Sequence, residues 1–394
     1  MNTQHSGKIE VNQLRISAYI FLLCLNVCSR IVNSSTLTHF LFVEKGLWSA
    51  LLSKITIVGC LAIFLSYRRH SKKKIMIMMV LSIFVLIITE MSNNMAFSQI
   101  FFFVIAYPIT LDARKIAKWE SYCFIAVTAF VFLMYKAGLI SGNEDFREEI
   151  VRNSCGFSSA NGFANIILLS LIAFVYYKQD RWKLKHSIIW SCVIVYVFAL
   201  TNSRMSCVLG LFVVAVMTFW YFKGKQIKKF IYTFSECSFI VGLGLSVLAT
   251  VLYVNGYFTV ALTALNSFLT YRLSYMSQYF LDPGISLFGQ VLVMVSKAQM
   301  LNTGERWSGL DNSYMYMLLA WGIVGIAIFT LFMVFLGKYL KRTENYYGAL
   351  CVLVLSIVGI TENYLSIVPY NFSIILIAQM ISERISNKRI DYYE

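Results

Sequence analysis

Apolar runs of membrane-spanning length recur about twelve times along this chain, and Lys and Arg crowd into every second connection between them. A helix needs about 20 apolar residues to cross about 30 Å of hydrocarbon. On that ruler, spans fall near 14–32, 48–67, 75–90, 95–111, 119–140, 161–178, 186–202, 204–222, 231–254, 311–336, 346–363 and 367–383. With the N-terminus placed in the cytoplasm, the cytoplasmic connections hold Lys8 and Arg15, Arg68 to Lys74, Arg114 to Lys118, Lys178 to Lys185, Lys223 to Lys229, Lys338 to Arg342 and Arg384 to Arg389. These are 24 of the 34 cations, and the remaining ten share the outer side with ten acids, so the net charge of +15 belongs to the cytoplasmic side. Such a bias orients a polytopic membrane protein with both termini inside.

Composition agrees, because 58% of the residues are hydrophobic and only 13% charged. A soluble domain carries about 25% charged residues, so a globule of this length would lack polar surface. The high pI is therefore a topology signal. Nucleic acid is excluded as a partner, since the cations form short clusters between apolar spans and no continuous basic face. The first apolar stretch, Leu14 to Val32, carries Arg30 and lacks a small-x-small cleavage site, which reads as an uncleaved first helix. Nine cysteines lie mostly inside apolar spans and four histidines are scattered, so neither a metal site nor a cofactor is expected. No repeat, Rossmann glycine pattern or Walker loop is visible. The expected fold class is an all-α polytopic membrane protein, a single transmembrane domain over residues 1–394 with about 12 transmembrane helices and a large outer loop at 255–310.

That loop is too apolar for a disordered tether. Leu265, Phe268, Leu269 and Arg272 share one helical face, as do Leu287, Phe288, Val291, Leu292 and Val295, which predicts short interfacial helices separated at Pro283 and Gly284.

Four arginines fall on the outer side at or near helix ends: Arg152, Arg204, Arg272 and Arg306. Arginine at membrane depth costs about 2.5–3.5 kcal/mol on insertion scales and normally faces a cavity or a partner. Its rigid fork suits phosphate oxygens, and several converging on one cavity would make a diphosphate clamp. Arg204 follows Thr201, Asn202 and Ser203 with no acid nearby, and the acid closest in sequence to Arg272 is Asp282.

Taken in order, these residues resemble a family. The segment Arg152-Asn-Ser-Cys-Gly156-Phe157, followed by Asn161, is similar to the Arg-x-x-x-Gly-Phe-x-x-Pro-Asn stretch of Wzy-type O-antigen and capsular polysaccharide polymerases, with Ala160 where the family usually has proline. Ser203-Arg204 at a helix head, Arg272 in the large loop and Asp311-Asn312-Ser313-Tyr314 opening the next span continue the likeness, which covers about residues 150–372. The resemblance implies a GT-C type glycosyltransferase of the bacterial inner membrane with an outward-facing active site. Such an enzyme moves a growing glycan from undecaprenyl diphosphate onto a sugar hydroxyl of a lipid-linked repeat unit. Its partners would be undecaprenyl-diphosphate-linked oligosaccharide, the lipid bilayer and a chain-length regulator.

In that reading Arg204 and Arg272 act on the leaving diphosphate, and Glu362 or Asp311 takes the acceptor proton. Arg152, Phe157, Asn161, Arg306, Asn312, Tyr314 and Asn371 contact substrate, with Tyr314 and Tyr364 suited to stack on sugars. Asp311 is also placed to cap a helix. The alternatives are an O-antigen ligase, a peptidoglycan polymerase of the shape, elongation and division group, and a lipid-linked oligosaccharide flippase. Ligases typically carry a histidine in the large loop, and 255–310 has none. Flippases place charges deep within spans, whereas here the helix interiors read as almost uncharged.

Overall fold

The structure, a computed structural model, describes residues 2–41, 45–67, 72–147, 150–223, 228–295 and 309–390. It begins with α1 (Asn2–Asn33), α2 (Leu37–Phe40), α3 (Lys45–Leu65), α4 (Lys72–Ser92) and α5 (Ala96–Ala106). Helix α6 (Ala113–Lys136) leads into a hairpin of β1 (Glu144–Arg147) and β2 (Ile150–Asn153), antiparallel with Glu144 opposite Asn153. Then come α7 (Ala160–Lys178), α8 (Leu184–Thr201), α9 (Arg204–Lys223) and α10 (Lys228–Val254). The chain closes with α11 (Thr259–Phe268), α12 (Arg272–Leu281), α13 (Ser313–Ala320), α14 (Gly322–Arg342), α15 (Tyr346–Thr361) and α16 (Phe372–Ile390).

Among the described residues, eight helices are long and apolar enough to cross a membrane, and the protein is an α-helical, multi-pass membrane protein. The segments expected at 75–90, 95–111 and 346–363 are shorter apolar helices. Helix α15 is almost wholly buried, so the bundle and not the lipid sets its length.

Connections gather at two ends. At one, Arg15 donates to Ser66 (2.8 Å), Arg114 to the Tyr177 carbonyl (3.1 Å) and Tyr347 to Asp180 (2.7 Å). At the other, here the hairpin end, Ser35 pairs with Phe157 and the Thr36 amide donates to the Gly156 carbonyl at 2.9 Å. Helix starts are fixed by short polar caps. Asp112 accepts from the Arg114 amide (2.8 Å), Ser159 from Gly162 (3.0 Å) and Asn345 from Gly348 (2.9 Å), each satisfying an amide the helix cannot. Helix α7 is the most buried of these eight candidate spans, with 72% of its spanning window buried, and its first turns carry much of the polar chemistry described below.

The large loop departs from expectation in two ways. The face running from Leu265 to Arg272 belongs to two helices, because Thr270 (φ 55°) and Tyr271 (φ 64°) turn the chain between α11 and α12. The second apolar stretch is not helical. Residues 284–295 run as irregular chain beside a break in the span expected at 311–336, where α13 stops and α14 restarts at Gly322, φ +71°. Backbones touch there: a Cβ on Gly289 would lie 2.0 Å from the Ala320 carbonyl oxygen, and one on Gly322 would lie 2.3 Å from the Gly289 nitrogen. The first free amides of α14, Ile323 and Val324, donate to the carbonyls of Ser286 (3.1 Å) and Leu287 (3.0 Å). These bonds give partners to amides that the start of a helix cannot itself satisfy.

Candidate functional site

Three distant stretches of sequence meet at the hairpin end. Arg272, the first residue of α12, donates from Nη2 to Glu362 Oε1 at 2.9 Å, and its Nε lies 3.7 Å from Asp311 Oδ2. The Arg272 and Glu362 side chains are 13% and 14% exposed, while Asp311 is 38% exposed. The expected cap role of Asp311 falls to Asn312, whose Oδ1 accepts from the Met315 amide (2.8 Å). Glu362 follows the last turn of α15 in extended conformation, with its amide on the Val358 carbonyl and its own carbonyl accepting from Ser313 Oγ at 2.6 Å. Backbone anchoring at both ends aims the carboxyl at Arg272.

Burial raises the proton affinity of Glu362 above the ordinary carboxylate range, the Arg272 guanidinium opposes that rise, nearby Asp311 adds to it, and a hydrogen bond from Asn165 opposes it. Burial prevails, so this carboxyl holds its proton to higher pH than a solvated glutamate.

Asn165 joins this group to the neighbouring one. It is 3% exposed on α7, accepts from Ser206 Oγ (2.6 Å) and donates to the Tyr364 hydroxyl (3.5 Å). One turn earlier, Asn161 accepts from Arg152 Nη2, while Arg152 Nε donates to the Thr201 carbonyl at 2.7 Å. The two asparagines, four residues apart on one helical face, thus link the surroundings of Arg152 to those of Glu362. Asn165 escaped notice in the sequence because it lies within an apolar run; its spacing from Asn161 was the available signal.

The arginines are therefore held separately and do not converge as the expected diphosphate clamp. Arg272 is committed to two acids far away along the chain, not to Asp282, and Arg152 is held by a carbonyl and an amide. Arg204, at the head of α9, is exposed and among the described residues makes no ion pair or hydrogen bond. Arg306 lies outside the described residues.

Four other expected contacts are absorbed into packing. Phe157 is fully buried and stacks on Phe163 at 5.0 Å. Asn312, besides capping, donates to Ser246 and to the Ile360 carbonyl, both at 2.9 Å. Tyr314 is enclosed, donating to the Ser356 carbonyl (2.7 Å) against Phe239, which leaves no face for a sugar. Asn371 is likewise enclosed, donating to the Leu365 carbonyl (2.7 Å) and accepting from Ser373. Tyr364 packs edge-on against Tyr370 at 5.0 Å.

The helix interiors are also less neutral than expected. Glu120 on α6 is 2% exposed, and its Oε2 has no hydrogen-bond partner among the described residues.

Comparison with known proteins yields no matching family model, no matching curated protein and no matching solved structure. The site has to be read from its own chemistry. It combines a buried carboxyl of raised proton affinity, a guanidinium that orients it, a second, more exposed carboxylate, and two further arginines at the same end of the bundle.

Proposed function

We propose that this protein is a lipid-linked repeat-unit polymerase, a glycosyltransferase of GT-C type that transfers a growing glycan from undecaprenyl diphosphate to a sugar hydroxyl of a second lipid-linked unit. The observation carrying this reading is the Glu362 carboxyl held between Arg272 and Asn165 at the bundle end that also bears Arg152 and Arg204. In the reaction the acceptor oxygen bonds to the donor's anomeric carbon, the bond from that carbon to the diphosphate oxygen breaks, and the electron pair leaves with the diphosphate. The acceptor proton passes to Glu362, whose raised affinity suits a general base near neutral pH. Arg272 orients Glu362, and Arg204 and Arg152 supply fixed positive charge for the leaving diphosphate. In-line displacement with inversion belongs to the GT-C reading.

The same reading places about twelve segments across the bacterial inner membrane, both termini in the cytoplasm and the hairpin end outside. The cation-rich connections at the opposite end support that orientation. Asp311, the more exposed of the two carboxylates, is suited to hold acceptor hydroxyls.

A flippase for lipid-linked oligosaccharide is the second reading, and Glu120 favours it, since an intramembrane carboxyl is a feature of transport pathways. Deleting the gene and resolving surface glycan by length separates the two. Polymerase predicts single repeat units still exported and the long-chain ladder gone; flippase predicts no surface glycan at all.

A further inference from the structure

Away from the hairpin end, α8 and α9 leave a groove of about 960 Å³ between them, at the upper end of the range for small-molecule sites. Its walls are apolar: Ile188 and Cys192 from α8, and Leu211, Val214, Phe219 and Phe222 from α9. Ile188 is 58% and Phe222 66% exposed, so among the described residues no element covers them. A polar stripe runs along the floor. Thr218 donates to Ser187 (2.7 Å), Trp182 Nε1 donates to the same oxygen (2.9 Å), and the Ser191 hydroxyl, also lining the groove, enters no hydrogen bond among the described residues.

What fits this surface is set by its mouth. Ser187 and Ser191 stand four residues apart on one face of α8, Lys183 is the exposed residue that opens the helix, and Lys185 lies seven residues, about two turns, before Cys192 on the same side. Both lysines are exposed. Between residues 178 and 185 the chain carries Lys178, Arg181, Lys183 and Lys185 against the single acid Asp180, which already accepts from Tyr347 at 2.7 Å. Lys178 is engaged over the Tyr177 ring at 4.4 Å, which leaves Arg181, Lys183 and Lys185, of which the two lysines stand at the start of α8, the groove's own helix. An apolar channel with hydroxyls along its floor and ammonium groups at its membrane-surface end matches one chemistry: hydrocarbon chains bearing a phosphate head.

We propose that the α8–α9 groove binds an anionic phospholipid, its acyl chains lying against Ile188, Leu211 and Phe219 and its phosphate held at Lys183 and Lys185. A basic pocket between helices at a membrane surface selects for anionic lipid because each nearby cation strengthens the attraction. A neutral phospholipid offers the same chains without that gain, so headgroup charge decides occupancy. The site lies away from Glu362 and Arg272 and does not depend on the activity assigned to them.

Native mass spectrometry of the full chain in detergent tests this, with phosphatidylglycerol, phosphatidylcholine or inorganic phosphate added. Phosphatidylglycerol is expected to be retained in preference to phosphatidylcholine, and removing each lysine, Lys183→Ala and Lys185→Ala, to weaken it about fivefold. Cys192→Trp, which fills the groove, should remove the preference while leaving the melting temperature of the protein unchanged. Equal retention of the two lipids overturns the proposal, as does inorganic phosphate binding as tightly as phosphatidylglycerol. A dimer that Cys192→Trp dissociates would assign the groove to a second copy of the chain and overturn it too. Should Cys192→Trp not fold, the lysine variants alone decide.

Discussion

Replacing Arg272 with alanine removes the cation that faces Glu362 and leaves two carboxyls together, one of them 14% exposed. Breaking a buried ion pair from one side costs about 3–5 kcal/mol while the orphaned charge persists. Glu362 can escape by taking up a proton, at about 1.4 kcal/mol for each pH unit above the ordinary glutamate value of about 4.3. Because burial already keeps Glu362 protonated in the parent above the ordinary range, both proteins bear that cost at low pH; the gap opens only as pH passes the parent's raised value, by about 1.4 kcal/mol per pH unit toward a limit of about 3–5 kcal/mol. The sign follows from the raised proton affinity. In the folded protein the neutral carboxyl is favoured, its contribution to stability is complete below the ordinary glutamate range, and it is lost as pH rises through the folded-state value. Thermal melting of parent and Arg272→Ala in detergent from pH 5 to pH 8 should therefore show a gap that widens with pH. Adding Glu362→Gln to the variant should make the gap independent of pH and recover much of it. A gap of constant size, or no recovery with glutamine, would refute the account of Glu362 as the group that Arg272 compensates.

Three further outcomes are expected. Arg204→Ala should leave abundance and melting unchanged, because Arg204 is exposed and without protein partners among the described residues, yet reduce long-chain glycan about tenfold or more through loss of a charged hydrogen bond; normal glycan length would remove Arg204 from the site. Gly289→Ala should destabilise by about 1–3 kcal/mol, since its Cβ would lie 2.0 Å from a backbone oxygen at φ +89°, and a variant melting like the parent would show that the loop packs otherwise. Glu120→Gln should melt at or above the parent temperature at neutral pH, because it removes a buried carboxyl with an unmatched oxygen; if export of repeat units fails while the protein remains folded, the flippase reading gains.

Much of this architecture was legible because a membrane constrains sequence so tightly. Apolar run length and alternating cation clusters located helices and ends, and the polar caps Asp112, Ser159 and Asn345 stand where those runs begin. What escaped shares a physical cause: it depends on contacts between segments that local pattern does not encode. The run at 311–336 reads as one helix, and only the approach of Gly289 to Gly322 explains why it is two. The face from Leu287 to Val295 has helical spacing, yet its backbone instead satisfies the start of α14. Arg272, Asp311 and Glu362 were each selected from sequence, but not their ion pairing, because the acids arrive through the folding of other helices. Tyr314 and Asn371 were expected to contact substrate, and the core closes over both.

The seam between residues 286–287 and α14 also restricts how this molecule can open. Withdrawing those carbonyls would strand two amide groups in hydrocarbon, where each unmatched group costs several kcal/mol. Helix and strap must consequently travel as a unit.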